Sequence, residues 1–135
     1  MTFIPQSIGG LKKLEKLNIS WNELNYISGS IGSLSSLKIL DLGQNSLNSI
    51  PDSIGSLHSL EVLNLSENEL QNIPEEIGSL KSLQILNLSM NELTSLPKSL
   101  GNLKSLKELY IGDNRLKQHY SLLKLLEKNK VQIYY

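Results

Sequence analysis

The side chains that most often carry out chemistry are scarce in this chain of 135 residues. There is no cysteine, which excludes a thiolate nucleophile, a thiolate metal cluster and a disulfide. The two histidines, His58 and His119, have no second imidazole or paired carboxylate at the spacing of a metal site. No Ser–His–Asp set can be assembled, and no glycine-rich phosphate loop follows a strand. We therefore expect no catalytic residue, no bound metal and no cofactor.

The composition excludes further classes of protein. Thirteen basic and thirteen acidic side chains cancel, so no net charge attracts nucleic acid or anionic lipid. No apolar run approaches the ~20 residues of a membrane-spanning helix. The N-terminus lacks the basic and apolar regions of a signal peptide. The compartment stays open, because the chain would be secreted or on the cell surface if it is processed, and cytoplasmic otherwise.

The positions of leucine indicate the secondary-structure elements on which any functional site must lie. Leucine occurs 29 times and alanine never, which argues against an ordinary helical bundle. The pattern L-x-x-L-x-L, as in Leu60, Leu63 and Leu65, indicates a short strand with one buried face. It recurs every 23 residues, in a single predicted domain 1–135 that contains the units 4–26, 27–49, 50–72, 73–95 and 96–118 and a C-terminal cap 119–135. Stability must come from stacking of the units.

One asparagine follows each strand at a fixed offset. An asparagine turned inward can satisfy backbone groups that are freed where a strand bends, because its amide both donates and accepts. We therefore predict a structural asparagine ladder along the stack, while the alternative is a set of solvated turn residues. The five positions are Asn22, Asn45, Asn68, Asn91 and Asn114.

Glycine and proline mark the return half of each unit. One glycine per unit is expected where a helical turn ends and the chain doubles back. These glycines are Gly9, Gly32, Gly55, Gly78 and Gly101. The prolines suit an extended segment or the first position of a short helical turn. They are Pro5, Pro51, Pro74 and Pro97, and Ser28 in the second unit is expected to loosen the chain locally.

The pattern L-x-x-L-x-L-x-x-N-x-L with a 23-residue period resembles the leucine-rich repeat family over residues 4–118. The I-P-x-x-I-G-x-L return resembles the subtype of Ras-pathway scaffolds, plant intracellular repeat proteins and short repeat proteins of bacterial pathogens. The resemblance implies a curved α/β solenoid, with parallel strands on its concave face and short helical turns on its convex face. Since the family shares a scaffold rather than an activity, it implies a non-catalytic protein-binding module and, through the bacterial likeness, a role in contact with a host.

The two ends of the repeat array differ. The C-terminal cap begins at His119, with Ser121 as the predicted N-cap of a helix and VQIYY as a sixth strand. The apolar face of that helix is predicted to contain Leu122, Leu123, Leu125 and Leu126. At the N-terminus either Phe3 folds over the first layer, or another chain covers it, or the chain is a piece of a longer protein. We predict a homodimer through this layer, formed by Phe3, Ile4, Ile8, Leu11, Leu14 and Leu17.

The concave face carries the predicted protein-binding site. Residues that flank the buried leucines point into this face, and Ile39, Val62 and Ile85 form an apolar stripe there. The alternative is that β-branched residues merely suit strands. The predicted partner-binding residues are Trp21, Ile39, Val62, Ile85, Met90 and Tyr110, with Glu67, Glu69 and Glu92 as a polar rim. Residues 41–92 carry a net charge of −7, against +2 for residues 1–40 and +5 for residues 93–135, which can orient a partner or a second copy.

Overall fold

Six short strands form one open parallel sheet in chain order. The computed structural model describes residues 1–117 and 120–135. The strands are β1 Lys16–Asn18, β2 Ile39–Asp41, β3 Val62–Asn64, β4 Ile85–Asn87, β5 Glu108–Tyr110 and β6 Gln132–Tyr134. Ile39 lies beside Val62 and Val62 beside Ile85, so adjacent strands are in the register that the repeat predicts. The predicted parallel-strand solenoid is confirmed.

Short 3₁₀ helices return the chain between the strands. They span Gln6–Gly10, Gly29–Ser33, Asp52–Ser56, Glu75–Ser79 and Lys98–Asn102. Each proline directly precedes a helix in extended conformation, which is the first of the two predicted roles. Ser28 keeps the same backbone (φ −64°, ψ 145°), and its side chain accepts a hydrogen bond from the Ser30 N–H. The side chain thus caps the helix where a loosening was expected.

The repeated glycines serve close packing between units. None of the described glycines has a positive φ, and each repeated glycine lies inside a 3₁₀ helix. A Cβ on Gly32 would lie 2.3 Å from the carbonyl oxygen of Ser53, and one on Gly55 would lie 2.4 Å from that of Glu76. Each repeated glycine therefore lies in the last turn of a helix, as predicted, and the missing side chain permits direct contact with the next helix.

A carboxylate also joins two successive helices. Glu75 accepts hydrogen bonds from the backbone N–H of Ser99 at 3.0 Å and of Lys98 at 3.3 Å. The bond from Ser99, above all, lowers the pKa of the Glu75 carboxyl below its ordinary value of 4.5. The first N–H groups of a helix have no partner within it, so this side chain satisfies two of them from the preceding unit.

The core is one continuous column of leucine and isoleucine. In the third unit Ile50 is 6% exposed and the other leucine and isoleucine residues are fully buried. These are Ile54, Leu57, Leu60, Leu63, Leu65 and Leu70, as the repeat predicts. Each inner layer is covered by the layers on both sides, so burial depends on stacking.

A helix and a strand close the C-terminal end. Helix α1 spans Tyr120–Lys128 and β6 pairs with β5, as predicted. Ser121 lies inside the helix, so its assignment as N-cap is wrong, and His119 lies outside the described residues. The apolar face is narrower than predicted: Leu126 is fully buried, Leu122 and Leu123 are partly buried, and Leu125 is 45% exposed. No helix in the described ranges is long and apolar enough to cross a membrane.

The N-terminal layer is partly open. Phe3 is 58% exposed and does not fold over it, and Leu11 is 51% exposed, whereas Leu34, one unit further on, is fully buried. Ile4 is buried, and three residues of the predicted self-association set are partly buried, namely Ile8, Leu14 and Leu17. The Met1 ammonium donates to Asn22 Oδ1 at 2.9 Å, in the position that the Leu24 N–H takes towards Asn45.

Candidate protein-binding face

The end of each strand is held by one asparagine side chain. Asn68 is 8% exposed, and its Nδ2 donates to the carbonyl oxygens of Leu42 and Leu65 at 3.1 Å. Its Oδ1 accepts the Leu47 N–H at 3.0 Å, so the side chain joins two units. The same contacts recur at Asn45, Asn91 and Asn114. These asparagines fix the backbone from which the neighbouring side chains project.

The residue before each ladder asparagine adopts a left-handed backbone. These residues are Trp21 (φ 57°), Gln44 (54°), Glu67 (54°), Met90 (55°) and Asp113 (53°). Trp21 is 77% exposed and Met90 is 50% exposed, so both present apolar surface beside the sheet. Sequence reasoning missed the conformation because glycine and asparagine, which usually signal it, do not occur at these positions.

Ile39, Val62 and Ile85 lie side by side on three adjacent strands. All three are only partly buried, so their side chains form an apolar stripe that water reaches. Lys16 continues the row on one side and Glu108 continues it on the other. The stripe is therefore bounded by charged side chains at both ends.

A hydrogen-bonded polar row runs beside the apolar stripe. The Asn64 Nδ2 donates to Asp41 Oδ1 at 2.9 Å, and the Asn18 Nδ2 donates to Asp41 Oδ2 at 3.3 Å. The Asn64 Oδ1 accepts both the N–H and the hydroxyl of Ser66, which fixes its orientation. The polar groups next to the stripe are thus already ordered in the free chain.

Tyr110 continues this row and stacks on Tyr134 of the last strand. The ring centroids are 4.4 Å apart and the ring planes differ by 8°. The Tyr110 hydroxyl donates to Glu108 Oε2 at 2.7 Å, and this bond is the main reason that the pKa of Tyr110 is raised to about 12. Sequence reasoning selected Tyr110 and missed Tyr134, although the VQIYY strand places Tyr134 beside it.

The predicted rim acids lie near the strand ends. Glu67 and Glu69 are exposed, and Glu67 accepts a hydrogen bond from Gln44 Nε2 at 3.1 Å. Glu92 is half-buried and forms an ion pair with Arg115 at 2.9 Å. Water reaches both side chains of this ion pair, so it contributes little to stability.

The sheet sorts charge across its width. The strand-end edge comprises residues 20–23, 43–46, 66–69, 89–92 and 112–115 and holds five acids and one arginine, a net charge of −4. The strand-start edge comprises residues 12–15, 35–38, 58–61, 81–84 and 104–107 and holds six lysines and two glutamates, a net charge of +4. A neutral chain therefore has one acidic and one basic edge.

The strand-start edge carries a second ladder that sequence reasoning missed. The hydroxyls of Ser59, Ser82 and Ser105 donate to backbone carbonyls of the preceding unit. His58 is exposed on this edge, and its carbonyl accepts from Ser82. A shallow cleft of about 440 Å³ lies near the cap and is lined in part by Lys104, Lys107 and Lys130. No His, Asp or Glu residues within residues 1–117 and 120–135 converge as a metal site.

The stacked strand–helix units define a parallel solenoid whose sheet face is open to solvent. The family model described as "Leucine rich repeat" matches residues 27–70 and 58–116, and a related model matches residues 13–34. The chain belongs to the leucine-rich repeat family, whose members are typically protein-interaction modules. No curated protein matches the chain significantly.

Two solved structures illustrate the similarity. A leucine-rich repeat protein of Leptospira interrogans matches with a TM-score of 0.91 and 35% identity, over 98% of this chain and 33% of that chain. The ectodomain of the receptor kinase GASSHO1/SCHENGEN3 from Arabidopsis thaliana, in complex with Casparian strip integrity factor 2, matches with a TM-score of 0.86 and 32% identity. That match covers 98% of this chain and 16% of the ectodomain. The chain thus spans a third or less of the length of each of these two proteins.

Proposed function

We propose that the chain is a non-catalytic module that binds a protein partner through its concave sheet face. The single observation that carries this proposal is the partly exposed stripe of Ile39, Val62 and Ile85 on an otherwise polar face. Apolar residues ringed by polar ones are typical of protein-binding surfaces. Trp21, Met90 and Tyr110 add the aromatic and thioether groups that interfaces favour.

The strand geometry alone does not require the stripe. Lys16, Glu108 and Gln132 take equivalent places on the other three strands, so polar side chains suit this position as well. The β-branched side chains lie side by side on adjacent strands, and they still remain partly exposed. This comparison favours binding over a purely structural role for the stripe.

The size of the face limits the affinity of a single chain. Six strands at ~4.8 Å spacing and five residues at ~3.3 Å give about 400 Å² of flat surface. A standard interface takes about 800 Å² from each partner. The strand-end edge therefore takes part in binding, with Trp21, Met90 and the predicted rim acids Glu67, Glu69 and Glu92.

Triple substitution of the stripe tests the proposal. The immobilised chain captures proteins from cell extract, host-cell extract included, and each is identified by mass spectrometry. Replacing Ile39, Val62 and Ile85 together by Ser should abolish capture while the circular dichroism spectrum stays that of the folded chain. The matched control replaces Tyr26 and Leu125, exposed apolar residues outside the stripe, by Ser and should retain capture. Undiminished capture by the folded triple variant would overturn the assignment.

A second candidate function is self-association of this 135-residue chain through its N-terminal layer. The exposed side chains of Phe3 and Leu11 and the unpaired outer edge of β1 support it. A two-fold contact would bury this apolar surface and extend the binding face. Sedimentation should show a concentration-dependent dimer that Leu11→Lys dissociates, with Leu125→Lys as the control. A strict monomer at every concentration removes this candidate.

A further inference from the structure

The stacked tyrosines form a fixed aromatic platform at the C-terminal end of the sheet. Both ring hydroxyls are tied down, because Tyr110 donates to Glu108 at 2.7 Å and Tyr134 donates to Gln132 at 2.9 Å. One face of the Tyr134 ring packs on Tyr110. Tyr134 is 42% exposed.

A carboxylate without a cationic partner lies beside this platform. Within the described part of the chain, the ion pairs are Lys38–Glu15 and Arg115–Glu92, and neither involves Glu108. The neighbouring Lys107 ammonium instead donates to Gln84 at 2.8 Å. Glu108 is half-buried, so water screens its charge less than it screens an exposed acid.

We propose that Glu108, Tyr110, Gln132 and Tyr134 form a subsite for an arginine side chain of the protein partner. The subsite rests on the proposed concave-face function and specifies the chemistry of its partner. A guanidinium group is planar, stacks on tyrosine rings and donates several N–H groups to carboxylate and amide oxygens.

A peptide titration followed by NMR tests the subsite. The probe is acetyl-Gly-Ser-Arg-Ser-Gly-amide, and its control carries citrulline, which keeps the shape of arginine and lacks the charge. The arginine peptide should shift the ring resonances of Tyr110 and Tyr134 and the side-chain amide of Gln132, and its own arginine methylene protons should move upfield. The citrulline peptide should cause no such shifts. Equal shifts with both peptides, or shifts spread along the whole strand-end edge, overturn the proposal.

Glu108→Gln is the sharpest variant because its side-chain oxygen can still accept the Tyr110 hydroxyl while the charge is lost. It should weaken arginine-peptide binding about two- to fivefold, the range of an ion pair that water reaches. Glu127→Gln removes an exposed acid of helix α1, which lies outside the proposed binding face, and should leave the affinity unchanged. Equal weakening by both variants would show a diffuse charge effect and refute the subsite.

Failure of the subsite and failure of the concave-face function give different results. The subsite fails if Glu108→Gln binds the peptide like the parent chain, even when protein capture depends on the apolar stripe. The concave-face function fails if capture survives triple substitution of the stripe, even when the arginine peptide binds.

Discussion

Replacing Asn68 by alanine removes one complete step of the asparagine ladder from the centre of the stack. The Leu47 N–H loses the acceptor Asn68 Oδ1, its one partner among the described residues. The carbonyl of Leu42 keeps the donor Asn45 Nδ2, and that of Leu65 keeps Asn91 Nδ2. The substitution therefore leaves one buried N–H without an acceptor, and it removes one of the two asparagine donors to each of the Leu42 and Leu65 carbonyls.

The expected cost follows from these contacts. A buried N–H without a partner costs about 1–3 kcal/mol, and loss of the shared bonds adds about 1–2 kcal/mol, so Asn68→Ala should destabilise by about 2–5 kcal/mol. Asn22→Ala is the matched control at the open end. Asn22 Oδ1 accepts from the exposed Met1 ammonium, which water can solvate instead, so the control should cost less than about 1.5 kcal/mol.

Urea unfolding followed by far-ultraviolet circular dichroism measures both values. Hydrogen exchange adds a local measurement: the Leu47 amide should lose protection in Asn68→Ala, while the Leu70 amide, bonded to Asn91 Oδ1, should keep it. Asn68→Asp should be at least as damaging, because a carboxylate accepts the Leu47 N–H but cannot donate to the carbonyls. Equal destabilisation by the central and terminal alanine variants would refute the ladder as a source of stability.

Three further predictions concern packing and pH. Gly32→Ala should destabilise by about 1–3 kcal/mol or more, because its Cβ would lie 2.3 Å from a backbone oxygen, whereas Gly10→Ala, with no atom within 4 Å, should stay within about 1 kcal/mol of the parent in urea unfolding. Because the pKa of Glu75 is lowered, the contribution of this carboxylate to stability is present above pH 4.5, its ordinary pKa, and is lost as pH falls through the folded-state pKa. Glu75→Gln should therefore lose less stability in acid than the parent chain does. An unchanged loss of stability below pH 4.5 would contradict this. Tyr110 should ionise with a pKa near 12 in an absorbance titration. Its contribution to the stability of the fold should be present below about pH 10 and lost as pH rises towards 12. Glu108→Gln should lower the pKa of Tyr110, and an unaltered titration would contradict the assigned cause.

Strands, register and core could be predicted from the sequence because they depend on spacing alone. Leucine at every second position gives each strand one buried face, and an exact 23-residue period leaves one way to stack the units. Leu63 and Leu65 are fully buried for this reason. The cap was harder to predict, since helix α1 occurs once and has no repeat against which its start can be aligned, and Ser121 was accordingly misassigned.

Features that depend on contacts between units could not be read from one unit. The distance from Gly32 to the next helix depends on how two units stack, and a local view of glycine suggests only a turn. The distribution of charge also depends on stacking. The sequence shows an acidic middle and basic ends, whereas in the stacked sheet the acidic residues gather at the strand-end edge and the lysines at the strand-start edge. Tyr134 belongs to the candidate site only through its pairing with Tyr110.

The left-handed residues before the ladder asparagines have a consequence for engineering this chain. Such a backbone costs roughly 1–2 kcal/mol for a residue with a side chain and little for glycine. The fold is therefore less stable than it would be with glycine at these five positions, which are Trp21, Gln44, Glu67, Met90 and Asp113. A library selected for heat resistance alone will accumulate glycine at these positions and lose the exposed side chains of the strand-end edge. A second selection for partner binding will reject glycine only where the partner makes contact, so comparing the two selections maps the interface.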